Sequence, residues 1–425
     1  MAVYDLAVVG GGIAGLGVLE CAGRAGLKAV LIERAAPGGA TTAVTSGLLH
    51  GGLRYLPYDV GTSLLMCREI ARLRGERPEL LTRQVFLWPV YRGERLGLRV
   101  IEALHDEYDL FASMRGARRH ATLSAAEAAS VLPGLNPEGL LGAVAFNEWR
   151  VDVPGLVAAL ARSAAAAGGE ILAQRRVVAL TVRDGRVAAA TVDGGRGEIE
   201  ARVFVNAAGP WAEEVARLAD ARLVRLRLRK GAHLVFGGEP PAHGLIFPGP
   251  GGRRIGVYPR DGETWVGPTD EPHDGPPDEA AVCAAEREDI RRALARVLPE
   301  LASRPCRAAV GLRPIPRQSG AAFLLSREHH VFDHAAEGLS NFLTVAGGKL
   351  TTYRPMGEDV VAAVLAKLGR PAPAREAGPG ERGMPWPLIR AGGLAASAGL
   401  LSYYALRRAL AGPGRAGLAA FAEDP

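Results

Sequence analysis

"YDLAVVGGGIAGLGVLECAGRAGLKAVLIER" (Tyr4–Arg34) decides the fold. The apolar run Leu6–Val9 predicts a buried strand. Gly10-Gly11-Gly12-Ile13-Ala14-Gly15 follows as a G-x-G-x-x-G turn, and a helical pattern then runs to near Gly26. Ala29–Ile32 predicts a second strand, ending at Glu33. The glycine pattern alone is common. Between a strand and a helix, with an acid about 20 residues on, it marks a dinucleotide-binding βαβ unit. Gly10 permits the tight turn, Gly12 lets the backbone approach a pyrophosphate, and Gly15 lets the helix pack close to the strand. The helix N-terminus attracts phosphate. Glu33 is placed to accept hydrogen bonds from ribose hydroxyls.

The next segment, "APGGATTAVTSGLLHGG" (Ala36–Gly52), narrows the choice of dinucleotide. A nicotinamide domain returns quickly to the βα alternation. A flavin needs an extended segment that runs along it toward the ring. Thr42, Thr45 and Ser46 are candidates for bonds to phosphate or ribitol, and Gly51 and Gly52 let the main chain lie against a flat isoalloxazine. Arg54 and Tyr55 come directly after, a cation and a ring suited to holding a small anion.

These residues combine with "HGGLRYL" (His50–Leu56), "VNAAGPWAEEV" (Val205–Val215), "GLRP" (Gly311–Pro314) and "VAGGKLTTYR" (Val345–Arg354). Together they resemble the FAD-dependent glycerol-3-phosphate dehydrogenase family of the glycine/D-amino-acid oxidase-like superfamily, over about residues 4–369. One departure is Thr41–Ser46, Thr-Thr-Ala-Val-Thr-Ser, where the family segment is richer in Ser. The resemblance implies FAD as cofactor and oxidation of sn-glycerol 3-phosphate to dihydroxyacetone phosphate. It implies cofactor contacts at Gly10, Gly12, Ile13, Ala14, Gly15, Glu33 and Arg34, and along the loop at Thr42, Thr45, Ser46, Leu48, His50 and Gly51. It puts the Val177 backbone at the adenine, Gly209 and Trp211 near the nucleotide, and Gly348, Lys349, Leu350 and Thr351 at a late turn beside the ring. Arg54, Tyr55, Arg313 and Lys349 become the substrate-binding candidates. His233, in "KGAHLVF", is the candidate base, with His50 as rival; Arg313 and Lys349 share the catalytic role. Arg254 and Arg317 are weaker substrate candidates, and His329 and His330 read as structural. A carboxylate also pairs with Arg54 and Arg313, so a 2-hydroxy acid such as 2-hydroxyglutarate, or an amino acid, is the alternative substrate. The electrons would pass to a quinone or an electron-transfer subunit.

The chain of 425 residues is 48% apolar, enough for a large core. Its formal charge of +6 is spread without a dense basic block, which argues against nucleic acid and suits an anionic substrate. Lysine is rare: Lys28, Lys230, Lys349 and Lys367. The cysteines Cys21, Cys67, Cys283 and Cys306 form no C-x-x-C pair, so no metal site is expected. The N-terminus lacks the basic region of a secretory signal, and no uncharged apolar run reaches the ~20 residues that span a bilayer; a cytoplasmic protein is expected. The expected architecture is α/β. A discontinuous Rossmann-like FAD domain (1–60, 146–215, 321–370) carries an inserted α+β substrate domain (61–145, 216–320) with an antiparallel sheet. A tail, 371–425, follows. Ala391–Leu406 lies there uncharged between Arg390 and Arg407, fit for peripheral membrane contact, or for packing on the body or on a partner subunit; a homo-oligomer is a separate expectation.

Overall fold

A computed structural model describes residues 3–56, 59–195, 197–317 and 329–372. The segment Ala391–Leu406 lies outside the described residues.

Strand Tyr4–Val9 sits at the centre of a parallel sheet, between Ala29–Ile32 and Glu198–Asn206. Glu170–Leu172 and Phe342–Ala346 extend it on either side, and His330–Asp333 pairs antiparallel at the edge. Its near-continuous apolar sequence has a simple cause: both faces are covered. Leu6 and Val8 pack with helices Ile13–Arg24, Val153–Ala166 and Tyr353–Lys367. Ala7 and Val9 pack with the hairpin Val177–Arg183/Arg186–Val192 and helix Ala212–Arg217. The hairpin turns at Asp184-Gly185, both at positive φ, as a two-residue turn demands. Helix Val153–Ala166 opens with the Asp152 carboxylate accepting from Gly155 N–H at 3.0 Å and with Pro154 in its first turn. Two helices cross backbone to backbone where Gly17 meets Gly357. A Cβ on Gly357 would lie 2.6 Å from Gly17 O.

The second sheet is largely antiparallel and holds ten strands among the described residues. One of its two long pairings joins Leu226–Phe236 to Cys306–Pro316, setting Arg229 opposite Arg313 and His233 opposite Ala309. Leu81–Tyr91 pairs antiparallel with Leu140–Val151 and parallel with Gly244–Pro248. The sequence reading expects the nucleotide unit to resume at 146. The strand Leu140–Val151 instead stays in the second sheet to its end, because Leu81–Tyr91 pairs with it from Leu140 to Val151. The chain rejoins the first sheet's layer with helix Val153–Ala166. Leu48 and Leu49 pair with Arg150 and Trp149, which stitches the early loop to the second sheet. Among the described residues no helix is long and apolar enough to cross a membrane.

Candidate active site

A cavity of about 1340 Å³ runs between the sheets, lined from both. At one end stands the glycine turn. Gly10 has φ +107°, and a Cβ there would lie 2.6 Å from Ala207 O. A Cβ on Gly15 would lie 1.9 Å from Gly10 O, so Gly15 serves helix packing and does not line the cavity. Gly12 faces the cavity, where a Cβ would meet only Thr42 Oγ1, at 3.5 Å. Helix Ile13–Arg24 has no side-chain cap at Gly12 and no acid in its first turn, so nothing of its own offsets its positive end. Thr42 Oγ1 accepts from Ile13 N–H at 3.1 Å and keeps its own proton to donate. Glu33 accepts from Gly11 N–H at 2.6 Å and from Ala35 N–H at 2.8 Å, which locks its carboxylate beside the turn. Each carboxylate oxygen has room for a second donor. These features fit a pyrophosphate over the helix end and a ribose at Glu33.

At the adjoining rim, Val177, Gly209, Arg34 and Trp211 line the cavity. Gly209 sits at φ +57° with nothing within 4 Å of a Cβ position. The Arg34 guanidinium lies 3.9 Å from the Trp211 ring centre and pairs with Asp278 at 2.8 Å.

The loop residues Thr42, Thr45, Ser46, Leu48 and His50 follow along the cavity wall. Tyr55 organises the middle. Arg54 lies 4.8 Å and Lys349 Nζ 5.1 Å from its ring centre, and the His50 ring stacks on it at 6.1 Å. Lys349 follows Gly347 and Gly348, both at positive φ, and precedes the turn Leu350–Thr352 that leads into helix Tyr353–Lys367. Gly348, Lys349 and Leu350 line the cavity; Thr351 is buried below it.

Gly51 differs from the sequence reading. It does not line the cavity, and its N–H donates to Glu148 Oε2 at 3.2 Å. A Cβ there would lie 2.4 Å from the Tyr108 hydroxyl and 2.9 Å from Cys67 Sγ. Packing from beneath, rather than approach of a ring from above, demands this glycine. Sequence reasoning missed the cluster responsible. Tyr108 O–H donates to Glu148 Oε1 at 2.5 Å, and the fully buried Arg115 stacks on Tyr108 at 3.8 Å, with Nη1 3.7 Å from Glu148 Oε2. Burial pushes the Glu148 carboxyl up from its ordinary value. No motif signals these residues; helix, turn and strand bring them together.

His233 lines the cavity's other end, 2% exposed and edge-on to Trp265 at 5.5 Å. Both ring nitrogens are buried without a hydrogen-bond partner among the described residues. Burial, and then the charges of Arg313 and Arg260, push its pKa down to about 3. Arg313 Nη1 donates to Thr269 O at 3.0 Å and to Asp270 Oδ1 at 3.3 Å. Asp270 also takes Arg229 Nε at 3.0 Å and pairs with Arg253. Gly231 makes room: a Cβ there would lie 2.7 Å from Arg313 Nη2. Opposite it in register, a Cβ on Gly311 would strike Val44 at 2.5 Å, which lets the early loop lie against the strand. Tyr258, whose phenol burial pushes up to about 12, feels the charges of both Arg313 and Arg54. Arg254 lies 3.8 Å over Trp88, and Arg317 Nε donates to Leu226 O; both line the cavity. His329 instead pairs with Asp359 at 2.9 Å. The sequence reading also passed over Arg229, Arg253, Asp270 and Tyr258. For Arg229 and Tyr258, alternation along Arg227–Arg229 and Arg254–Tyr258 was the available signal, since every second residue of a strand shares a face; Arg253 and Asp270 lie outside those strands and carried none.

Fold and site define a class: a dinucleotide-binding protein whose glycine turn opens onto a large cavity lined with arginines. The profile described as FAD dependent oxidoreductase matches residues 5–354. The chain belongs to that family, and FAD is its cofactor. It is 30% identical over 379 residues to an aerobic glycerol-3-phosphate dehydrogenase of Staphylococcus aureus (strain USA300), covering 86% of this chain and 67% of the relative. A relative of the same name from Bacillus subtilis (strain 168) is 29% identical over 377 residues, with the same coverage. The crystal structure of glycerol-3-phosphate dehydrogenase from Bacillus halodurans complexed with FAD superposes with a TM-score of 0.68 at 24% identity, covering 93% of this chain and 73% of that one.

Proposed function

We propose that this protein oxidises sn-glycerol 3-phosphate to dihydroxyacetone phosphate. The observation that carries the reading is that Arg54, Arg313 and Lys349 line one cavity beside the dinucleotide turn, with Arg54 and Lys349 both against Tyr55. The names of the curated relatives support a phosphate substrate over the alternative carboxylates.

Bound FAD supplies the acceptor for the hydride that leaves the alcohol carbon. The chain's own residues do the rest. Arg54 and Arg313 grip the phosphate with planar forks. Tyr55 walls the site and donates a further bond. Lys349 and the backbone of the Gly347–Gly348 turn would help hold the flavin and offer it positive charge. His233 takes the hydroxyl proton. Its imidazole is neutral before substrate arrives, as a base must be, and a bound dianion raises its proton affinity. One ring nitrogen must turn into the cavity to act. In this reading the first sheet carries the cofactor and the second walls the substrate. We assign the electrons to a quinone or an electron-transfer subunit; the relatives' names, dehydrogenases rather than oxidases, support an acceptor other than oxygen. The 371–425 tail is the candidate for membrane or partner contact.

Anaerobic titration of the purified yellow protein tests the assignment. Glycerol 3-phosphate is expected to bleach the flavin band, and 2-hydroxyglutarate and glycine to leave it. Bleaching by the acids but not by glycerol 3-phosphate overturns the substrate.

A further inference from the structure

Three segments far apart in sequence meet at one rim of the cavity. Arg34 directly follows Glu33, Trp211 ends the turn Gly209–Trp211, and Asp278 sits in the turn Pro277–Glu279 that precedes helix Ala284–Ala295. The Arg34 guanidinium lies 3.9 Å from the Trp211 ring centre. Its Nη2 is 2.8 Å from Asp278 Oδ1, and its Nη1 is 3.3 Å from Oδ2. Trp211 Nε1–H donates to Asp278 Oδ2 at 3.2 Å. Each of the three touches the other two. Arg34 and Trp211 line the cavity, while the Asp278 side chain is 58% exposed and closes the triangle from outside. The hydrogen bond from Arg34 holds the Asp278 carboxyl below its ordinary range, so it is an anion at neutral pH.

A lone exposed ion pair would deserve little weight. Here the fork is bidentate, its face is stacked on an indole, and the indole N–H returns to the same carboxylate. The contact joins a turn of the second-sheet unit to two residues in the segments that follow strands Ala29–Ile32 and Glu198–Asn206 of the first sheet. Those two are among the residues assigned to the nucleotide.

We propose that Asp278 is a positioning residue for the cofactor: it ties Arg34 and Trp211 into a clasp across the adenosine end of the cleft, and cofactor release requires that clasp to open. The proposal rests on FAD lying along the cavity as assigned above. It predicts a cofactor off-rate set by an ion pair on the solvent side, and so by ionic strength.

The test is FAD release from the full-length holoprotein, followed as the fluorescence rise of freed flavin. For the parent protein the rate is expected to climb between ~0.05 and ~0.5 M NaCl as the pair is screened. D278N is expected to release FAD ~3- to 10-fold faster at low salt, with most of the salt dependence gone. D278E, which keeps the charge on a longer arm, should fall between and retain the salt dependence. A D278N protein that releases FAD at the parent rate in low salt, or keeps the parent's salt slope, overturns the clasp and leaves the FAD assignment intact. A parent protein that takes up no FAD overturns both.

Discussion

Asp270 Oδ1 accepts from Arg313 Nη1 at 3.3 Å while the same carboxylate takes Arg229 Nε at 3.0 Å and pairs with Arg253. One acid therefore spaces three guanidiniums on a cavity wall. Without it, three cations would repel one another across the strand pairing that sets Arg229 opposite Arg313. Asp270→Asn is expected to raise KM for glycerol 3-phosphate ~10-fold or more, with a smaller change in kcat. A KM that stays put or falls would make Asp270 a damper of positive charge rather than a scaffold for it.

Arg54 stands over Tyr55 and shares its field on Tyr258 with Arg313. Arg54→Ala removes charge-assisted bonds to the substrate, expected to cost ~1.5–3 kcal/mol, or ~10- to 150-fold in KM. Steady-state kinetics with a dye acceptor reads this. An unchanged KM would place the phosphate elsewhere in the cavity.

Gly51 is held from below, a Cβ there falling 2.4 Å from the Tyr108 hydroxyl. Gly51→Ala is expected to destabilise the protein by ~1–3 kcal/mol through overpacking. Tyr108→Phe in the same chain removes the offending oxygen and should recover part of the loss. Thermal melts of the two single variants and the double variant check this; a strictly additive double variant would put the clash elsewhere.

His105 is fully buried. Its Nδ1 lies 2.8 Å from Ile101 O, and burial pushes its pKa down to about 3. Its ordinary value is about 6.5, so the unfolded chain binds the proton first as pH falls. The stability that neutral His105 confers is whole above pH ~6.5 and drains away toward pH ~3. His233 adds to the same window with the same sign. Melting temperature should drop across that range, and His105→Gln should flatten the drop. An equally steep acid limb in the variant would remove His105 from the account.

The βαβ unit was open to inspection in Tyr4–Arg34, because a buried parallel strand must be apolar throughout and a turn pressed against its neighbour must be glycine. The glycine turn at one end of the cavity was legible for the same reason: close backbone contacts leave a spacing of glycines that can be read one residue at a time. Arg54, Arg313 and Lys349 stood out through neighbouring glycines and aromatics in short motifs.

What tertiary structure alone decided were the partners drawn from different elements. Nothing near Gly51 in sequence announces that Tyr108 and Glu148 lie under it, nor does anything near Arg34 announce Asp278. Nor does His233 disclose in sequence that both its nitrogens are buried, or Asp270 that it gathers three arginines. Local spacing encodes what the backbone of one segment must do. Burial and charge at a side chain depend on which segments the two sheets bring against it, and that is settled only when they close around the cavity.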